Sequence, residues 1–340
     1  MIDLAHLAII VIALALIFDF LNGFHDAANA VATIVVTRAL TPLQAVILAA
    51  IANFIGAFVF GVAIANTVGK GIIDINCITV PLILAALAGA VIWNIITWIW
   101  GLPTSSSHAL IGGLIGSALA AAGWKSVMFG GVLKIFLFIF VAPLLGMFGA
   151  MIFTTIIIWL FRRVQPGVAN GIFRRLQLVS AGFYSLGHGT NDAQKTMGVI
   201  ALTLYSAHMT DSFHVASWVI LSCQAAIALG TAFGGWRIVR TMGTRITKIR
   251  SMEGFCAESA SALVLLGTAH FGIPVSTTHV ISGSILGVGT VENVGKVRWG
   301  TARKIIWAWI LTIPATAFCG WITYEFILLL AQVGVFNFTF

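Results

Sequence analysis

Charged side chains are scarce in this sequence: they make up 8% of 340 residues, against 60% hydrophobic residues and a mean hydropathy of +1.06. A soluble chain carries roughly a quarter charged residues, so ten acids and eighteen bases cannot cover a water-soluble enzyme of this size. Paired cysteine motifs are also missing. Cys77, Cys223, Cys256 and Cys319 form no CxxC or Cys/His spacing, and no HExxH occurs, so neither disulfides nor a structural metal centre is expected. No alternating apolar pattern supports a membrane barrel. The basic residues form short clusters rather than an aromatic-laced stripe, which argues against nucleic acid as a partner. The first apolar run lacks a basic leader and a small-residue cleavage site, so it is expected to be a retained helix.

What is present is a succession of apolar segments, at about 4–21, 43–65, 80–100, 126–160, 176–187, 196–206, 215–236, 255–271 and 305–332. In hydrocarbon every backbone polar group must be satisfied internally, so these are expected to be helices of a multi-pass membrane protein. The 126–160 run contains Pro143 and exceeds one straight span, which predicts a kink or a strong tilt. Stretches 104–122 and 276–290 are rich in Gly, Ser and Thr and each follows a Pro, as broken or re-entrant helices would. Fourteen of the eighteen bases, in clusters at 162–175, 237–250 and 296–304 together with Arg38, fall on one side of the resulting topology. That side is expected to be cytoplasmic. Both termini are then expected outside, in the plasma (inner) membrane.

The sequence also repeats itself. Asn22-Gly23-Phe24-His25-Asp26-Ala27-Ala28-Asn29 is echoed by His188-Gly189-Thr190-Asn191-Asp192-Ala193-Gln194-Lys195, with the two Asp residues 166 apart. Gly101-Leu102-Pro103-Thr104-Ser105-Ser106-Ser107-His108 recurs as Gly272-Ile273-Pro274-Val275-Ser276-Thr277-Thr278-His279, 171 residues on, and Gly112 and Gly116 recur as Gly283 and Gly287. The loop charges start the first repeat outside the membrane and the second inside. The expected architecture is therefore all-α and polytopic, with two inverted-topology repeats, broken helices and two re-entrant helical hairpins. Its parts are 1–160, a cytoplasmic connector at 161–175, and 176–340. This is the plan of a secondary transporter, whose site lies where the repeats meet.

An ionised carboxylate within a bilayer-spanning helix costs about 2.5–3.5 kcal/mol on insertion scales, so Asp26 and Asp192 need partners and are the first candidates for binding a coupling ion. Asp19 and Glu258 are embedded as well and rank second. A Pro followed by a hydroxyl run marks a helix start, where free N–H groups and the dipole favour anions. Thr104, Ser105, Ser106, Ser107, Ser276, Thr277 and Thr278 are thus candidates to replace the hydration shell of a tetrahedral oxyanion. Asp carboxylates can accept the proton of hydrogen phosphate, whereas sulfate has none to give and would be repelled. His25, His108, His188 and His279 are candidate proton carriers or supporting donors.

On these residues the sequence resembles the inorganic phosphate transporter (PiT) family, whose mark is a duplicated Gly-x-x-Asp-x-x-Asn-like box, matched by Gly23 to Ala30 and Gly189 to Lys195. The Ser105–His108 and Ser276–His279 boxes match its two hairpins. The resemblance covers essentially the whole chain. It implies a homodimer of helical protomers in lipid that carries inorganic phosphate with a cation gradient. The Gly-Phe-His-Asp wording and Gln194-Lys195 are most similar to the low-affinity bacterial Pit branch, which implies proton coupling and phosphate moving with a divalent metal. Asn29, Asn191 and Asn53 join Asp26, Asp192 and Glu258 as the implied coupling-ion set. Glu258 matches a Glu of the sodium-coupled members, but Asn53 stands where they have another Glu, and Lys195 replaces the Asn of the first box. Three residues apart on a helix, Asp192 and Lys195 share a face, and a tethered ammonium there would fill the space of a sodium ion. The expectation is a phosphate symporter rather than an enzyme, using protons and no cofactor. Sodium-coupled phosphate symport and sulfate permeation on the same scaffold are the alternatives. An intramembrane enzyme has no need of near-symmetric duplication, and a passive channel has no need of an occluding carboxylate pair.

Overall fold

The computed structural model describes residues 3–59 and 61–334. Met1, Ile2, Phe60 and the last six residues, and with them the ends whose location was expected outside, lie beyond the described residues. The described chain is helical, and its only β-type pairing is the isolated bridge between Ile73 and Val127.

Twelve α-helices follow in order: α1 (Leu4–Val36), α2 (Pro42–Ile55), α3 (Ala63–Gly71), α4 (Val80–Trp100), α5 (Ser106–Ala122), α6 (Phe129–Phe161), α7 (Pro166–Ser206), α8 (Ser217–Phe233), α9 (Trp236–Thr244), α10 (Ser251–His270), α11 (Thr277–Asn293) and α12 (Trp299–Gln332). The starts are written locally. Asp3, Thr41, Thr79, Ser105 and Ser276 each turn a side-chain oxygen onto an orphan N–H of the first turn, and Pro42 and Pro81 occupy first-turn positions that need no donor. The hairpin turns end α4 and α10 by the same device: Gly101 and Gly272 adopt φ of +65° and +62°, a left-handed conformation that costs glycine nothing.

The order of elements runs through six helices and then repeats. α5 begins at Ser106 and α11 at Thr277, keeping the 171-residue spacing of the Pro boxes; Pro314 inside α12 stands at the same spacing from Pro143 inside α6. The spacing varies along the chain, from 166 at the Asp boxes to 175 at the starts of α2 and α8 and back to 171 at the starts of α4 and α10, as helix ends and connections differ in length between the halves. Packing repeats too, with the partners exchanged. α5 lies mainly against α12 and α11 against α6, while α1 packs on α8 and α7 on α2. Each half of the sequence completes the core of the other.

One expectation needs correction. The runs 176–187 and 196–206 are not separate elements: α7 is one helix of 41 residues with the Asp192 box in its middle, as α1 passes unbroken through Asp26. A helical backbone satisfies its own N–H and C=O groups, so polar side chains can enter the membrane core without breaking it. The stretch 161–175 is helical from Pro166 onward, leaving only a short link between α6 and α7. Further breaks fall at 56–62 between α2 and α3, and between α8 and α9, which are bent by 71°. α6 is one helix across Pro143.

Among the described residues, five helices are long and apolar enough to cross a bilayer, or six if the bent pair α8 and α9 is one span. The polarity of this fold is that of a protein in lipid. Leu133, Phe136, Phe140, Phe148, Trp307 and Phe318 are exposed, while Asp19, Asp192, Glu258 and Lys195 are buried. An apolar belt of this extent is stable only against hydrocarbon.

The repeated glycines act by close approach. A Cβ on Gly116 would stand 1.9 Å from the Ala317 carbonyl oxygen of α12, and one on Gly287 would stand 2.3 Å from that of Met147 on α6. Gly116→Leu or Gly287→Leu should therefore destabilise the protein by more than about 1–3 kcal/mol, the usual cost of overpacking. Gly182→Ala, where nothing lies within 4 Å, should not. Thermal unfolding and gel filtration in detergent measure the difference.

Candidate functional site

α1 and α7 run through the centre of the molecule and carry the two Asp boxes, while α5 and α11 begin there. Because α5 and α11 start at buried Ser residues, their first turns deliver hydroxyls and N–H groups to the middle of the fold. One side chain joins the halves: the Thr277 hydroxyl is 2.9 Å from Oδ2 of Asp192 and 3.4 Å from Oδ2 of Asp26. The Thr278 hydroxyl stands 3.4 Å from the same Asp26 oxygen and accepts from Nδ2 of Asn29 at 2.8 Å. Ser107 of the other hairpin lies 3.3 Å from Oδ1 of Asp192. Asp26 and Asp192, 166 residues apart in sequence, thus share one cage of hydroxyls, and every member is buried.

Basic groups offset the negative charge. The Lys195 ammonium bonds Asp192, the Ser107 hydroxyl and, at 2.7 Å, the Val275 carbonyl oxygen. Buried charges persist only when paired, and losing one partner costs about 3–5 kcal/mol. Nδ1 of His25 is 2.9 Å from Oδ1 of Asp26. Nε2 of His188 lies 3.2 Å from Asp192 Oδ2 and 3.9 Å from Asp26 Oδ2, and Nδ1 of its ring meets Asn53 at 3.2 Å. Asp26, His188 and Asp192 present ligand atoms within 4.8 Å of one another, so the donor set can hold a cation. Sequence spacing could not reveal this cluster, because its two carboxylates come from different halves.

The other predicted residues divide by geometry. Ser106 donates to Asn22 at 2.6 Å and Thr104 to Thr97 at 3.0 Å, both at the edge of the cage. Ser105 and Ser276 spend their oxygens as helix caps, which removes two of the hydroxyls expected to face an anion. Gln194 accepts the Ile64 N–H at the start of α3, and Asn191 donates to the Gly187 and Leu265 carbonyls, so both hold helices together. Asn53 reaches the cage through His188 and is itself tied to Thr231. His108 and His279 face each other with ring centroids 4.6 Å apart, and His279 stacks on Trp309, so they pack the hairpin junction. Glu258 lies in a separate cluster, accepting from Thr33, Gln177 and Ser180.

Sequence reading overlooked Asn22, Thr33, Gln177, Ser180 and Thr196. The signal was available: Asp19, Asn22, Asp26, Asn29 and Thr33 recur at helical spacing and line one face of α1, and all are buried.

A second pair of contacts is repeated across the halves. The Thr241 hydroxyl of α9 bonds the Gly101 carbonyl at 3.0 Å, and the Thr67 hydroxyl of α3 bonds the Gly272 carbonyl at 2.8 Å. Each short helix is latched to the turn of a hairpin.

The chain is similar to known proteins over most of its length. Residues 22–320 match the family described as Phosphate transporter family. A probable low-affinity inorganic phosphate transporter of Rhizobium meliloti is 54% identical over 314 residues, covering 92% of this chain and 94% of its own. A protein of the same description from Bacillus subtilis is 44% identical over 321 residues, covering 94% and 96%. The solved structure titled "The sodium-dependent phosphate transporter" superposes with a TM-score of 0.85 at 26% identity, covering 95% of this chain and 99% of that one. A cage built from both Asp boxes and both hairpins, in a helical membrane fold matched over nearly its full length, makes this chain a member of the phosphate transporter family.

Proposed function

We propose that the chain is a secondary active symporter that moves inorganic phosphate across the inner membrane by alternating access, coupled to protons. The observation that carries this reading is the sharing of Thr277 between Asp26 and Asp192. Two helix starts, from opposite halves, aim positive dipole ends at a cage that already contains two carboxylates. A fully ionised oxyanion would be repelled there. Hydrogen phosphate can donate its proton to a carboxylate and accept from Ser106, Ser107, Thr277, Thr278 and Thr104, which favours phosphate over sulfate. A divalent metal moving with phosphate as substrate would find Asp26, His188 and Asp192 as ligands.

Lys195 supports proton rather than sodium coupling. Its ammonium holds three oxygen partners beside Asp192, the kind of oxygen-lined place a sodium ion would take. The halves 1–160 and 176–340 then work as inverted repeats, with 161–175 on the cytoplasmic side, both termini outside and two protomers side by side in the lipid. The buried cage with both latches made fits an occluded stage of the cycle: breaking Thr241–Gly101 opens the cytoplasmic side, and breaking Thr67–Gly272 the other.

Uptake of labelled phosphate into cells or proteoliposomes tests the reading. Asp26→Asn and Asp192→Asn should each lower uptake about a hundredfold or more, given a loss of about 3–5 kcal/mol for breaking a buried pair, while the protein still accumulates in the membrane. Normal uptake by both variants would remove the carboxylates from the mechanism. Excess arsenate should compete and sulfate should not. Lys195→Asn should make uptake respond to external sodium with protonophore present; wild-type uptake that survives protonophore but collapses without sodium would overturn proton coupling.

The latches make a separate prediction. Thr241→Val removes a hydrogen bond of about 1 kcal/mol, a shift of about fivefold between conformations. A cysteine at Thr104 should then react faster with an impermeant thiol reagent from the cytoplasmic side, and from the other side in Thr67→Val.

A further inference from the structure

The proposed mechanism leaves three buried carboxyls unused, Asp19, Glu253 and Glu258. Asp19 lies seven residues before Asp26 on the same face of α1, about 10 Å along the helix, and it is fully buried. Its Oδ1 accepts a 3.0 Å bond from the Thr196 hydroxyl of α7, and its Oδ2 has no hydrogen-bond partner. The titratable groups that face it are Cys223 on α8 and Asp192 and Lys195 on α7. The Lys195 ammonium is committed to Asp192, Ser107 and Val275, and Asp19 forms no ion pair among the described residues. Glu258 differs, since three neutral donors satisfy both of its oxygens.

We propose that Asp19 is the carboxyl that takes up and releases the coupled proton. The step is the addition of one proton to its open oxygen and, later, its removal; no other bond changes. An ionised carboxylate with one hydroxyl donor, a weakly donating thiol on Cys223 and no cation is costly in a closed, water-free junction, whereas the neutral acid is not. The α1–α7–α8 junction therefore closes readily only when Asp19 is loaded. This ties a proton to each passage of the carrier through its occluded stage. A cavity of about 600 Å³, lined by Leu4, Thr79, Tyr205, His208 and Asp211, opens at the end of α1 and α7 that is nearer to Asp19 than to Asp26, about 20 Å along α1 from Asp19 and separated from it by the buried Leu7, Val11 and Ala15. By the topology proposed above that end faces outside. The inference rests on proton coupling, and its test separates the two ideas.

Purified protein in proteoliposomes serves, with inorganic phosphate as the probe. Asp19→Asn is permanently uncharged, so phosphate–phosphate counterflow should continue at the wild-type rate. Accumulation driven by an imposed pH gradient should vanish, from about tenfold per unit of gradient for one proton to none. Phosphate-dependent alkalinisation of the medium should vanish with it, and Asp19→Glu should restore both. Asp19→Asn that still accumulates phosphate with proton uptake overturns the role of Asp19 and leaves proton coupling standing. A wild-type protein that moves no protons with phosphate overturns proton coupling itself. Loss of counterflow in Asp19→Asn and Asp19→Glu alike would make Asp19 a packing residue and also overturn the proposal.

Discussion

A carboxylate pair placed in the interior of a membrane protein must be neutralised, hydrogen-bonded or both, and the fold is arranged around that requirement at Asp26 and Asp192. Thr277 and Thr278 come from α11, Ser107 from α5, Lys195 and His188 from α7, and His25 from α1. No single helix could supply this set. Four helices have to meet, and two of them have to begin at the meeting point, because only a helix start offers unpaired N–H groups along with its hydroxyls. The glycine contacts of α5 on α12 and of α11 on α6 follow from the same need. A helix that starts in the middle of the membrane is held in place by close packing along its remaining length.

Exchange of partners between the halves ties the two repeats into one assembly. α5 packs on α12 and α11 on α6, so neither half is a self-contained body, and the contacts that separate the cage from the two surfaces come in equivalent pairs. The Thr67–Gly272 and Thr241–Gly101 latches are such a pair: each is one hydrogen bond, on a glycine whose left-handed turn exposes its carbonyl. The two latches lie on equivalent elements of the two halves, α9 with the α4–α5 turn and α3 with the α10–α11 turn.

Lys195 sets this chain apart within its own cage. Its Nζ is held between Asp192, the Ser107 hydroxyl and the Val275 carbonyl, all of them buried within the membrane core. Polar residues extend from Asp19 past Asn22, Asp26 and Asn29 to Thr33, a row along α1 that ends against Glu258 of α10 and is matched by Thr196, Asp192, His188, Ser180 and Gln177 on α7. Facing polar rows through a bilayer are costly, and such residues are retained where charge has to cross.

Much of this was legible in the residues themselves. Composition alone required lipid, and the duplicated Asp and Pro-hydroxyl boxes named Asp26, Asp192, Ser107, Thr277 and Thr278, because such residues within apolar runs have few uses besides a site. Helix starts at Ser105 and Ser276 were written in the same local code. Other features depended on contacts between segments far apart in sequence. That Asn191 and Gln194 brace helices, that His108 and His279 pack on each other, and that His188 stands between two carboxylates are facts of distance in space, and the sequence spacing of one half carries no information about the other. Continuity of α1 and α7 through their polar boxes was likewise decided by the tertiary structure: a backbone that satisfies itself can cross the membrane core with polar side chains, provided that other helices bring the partners.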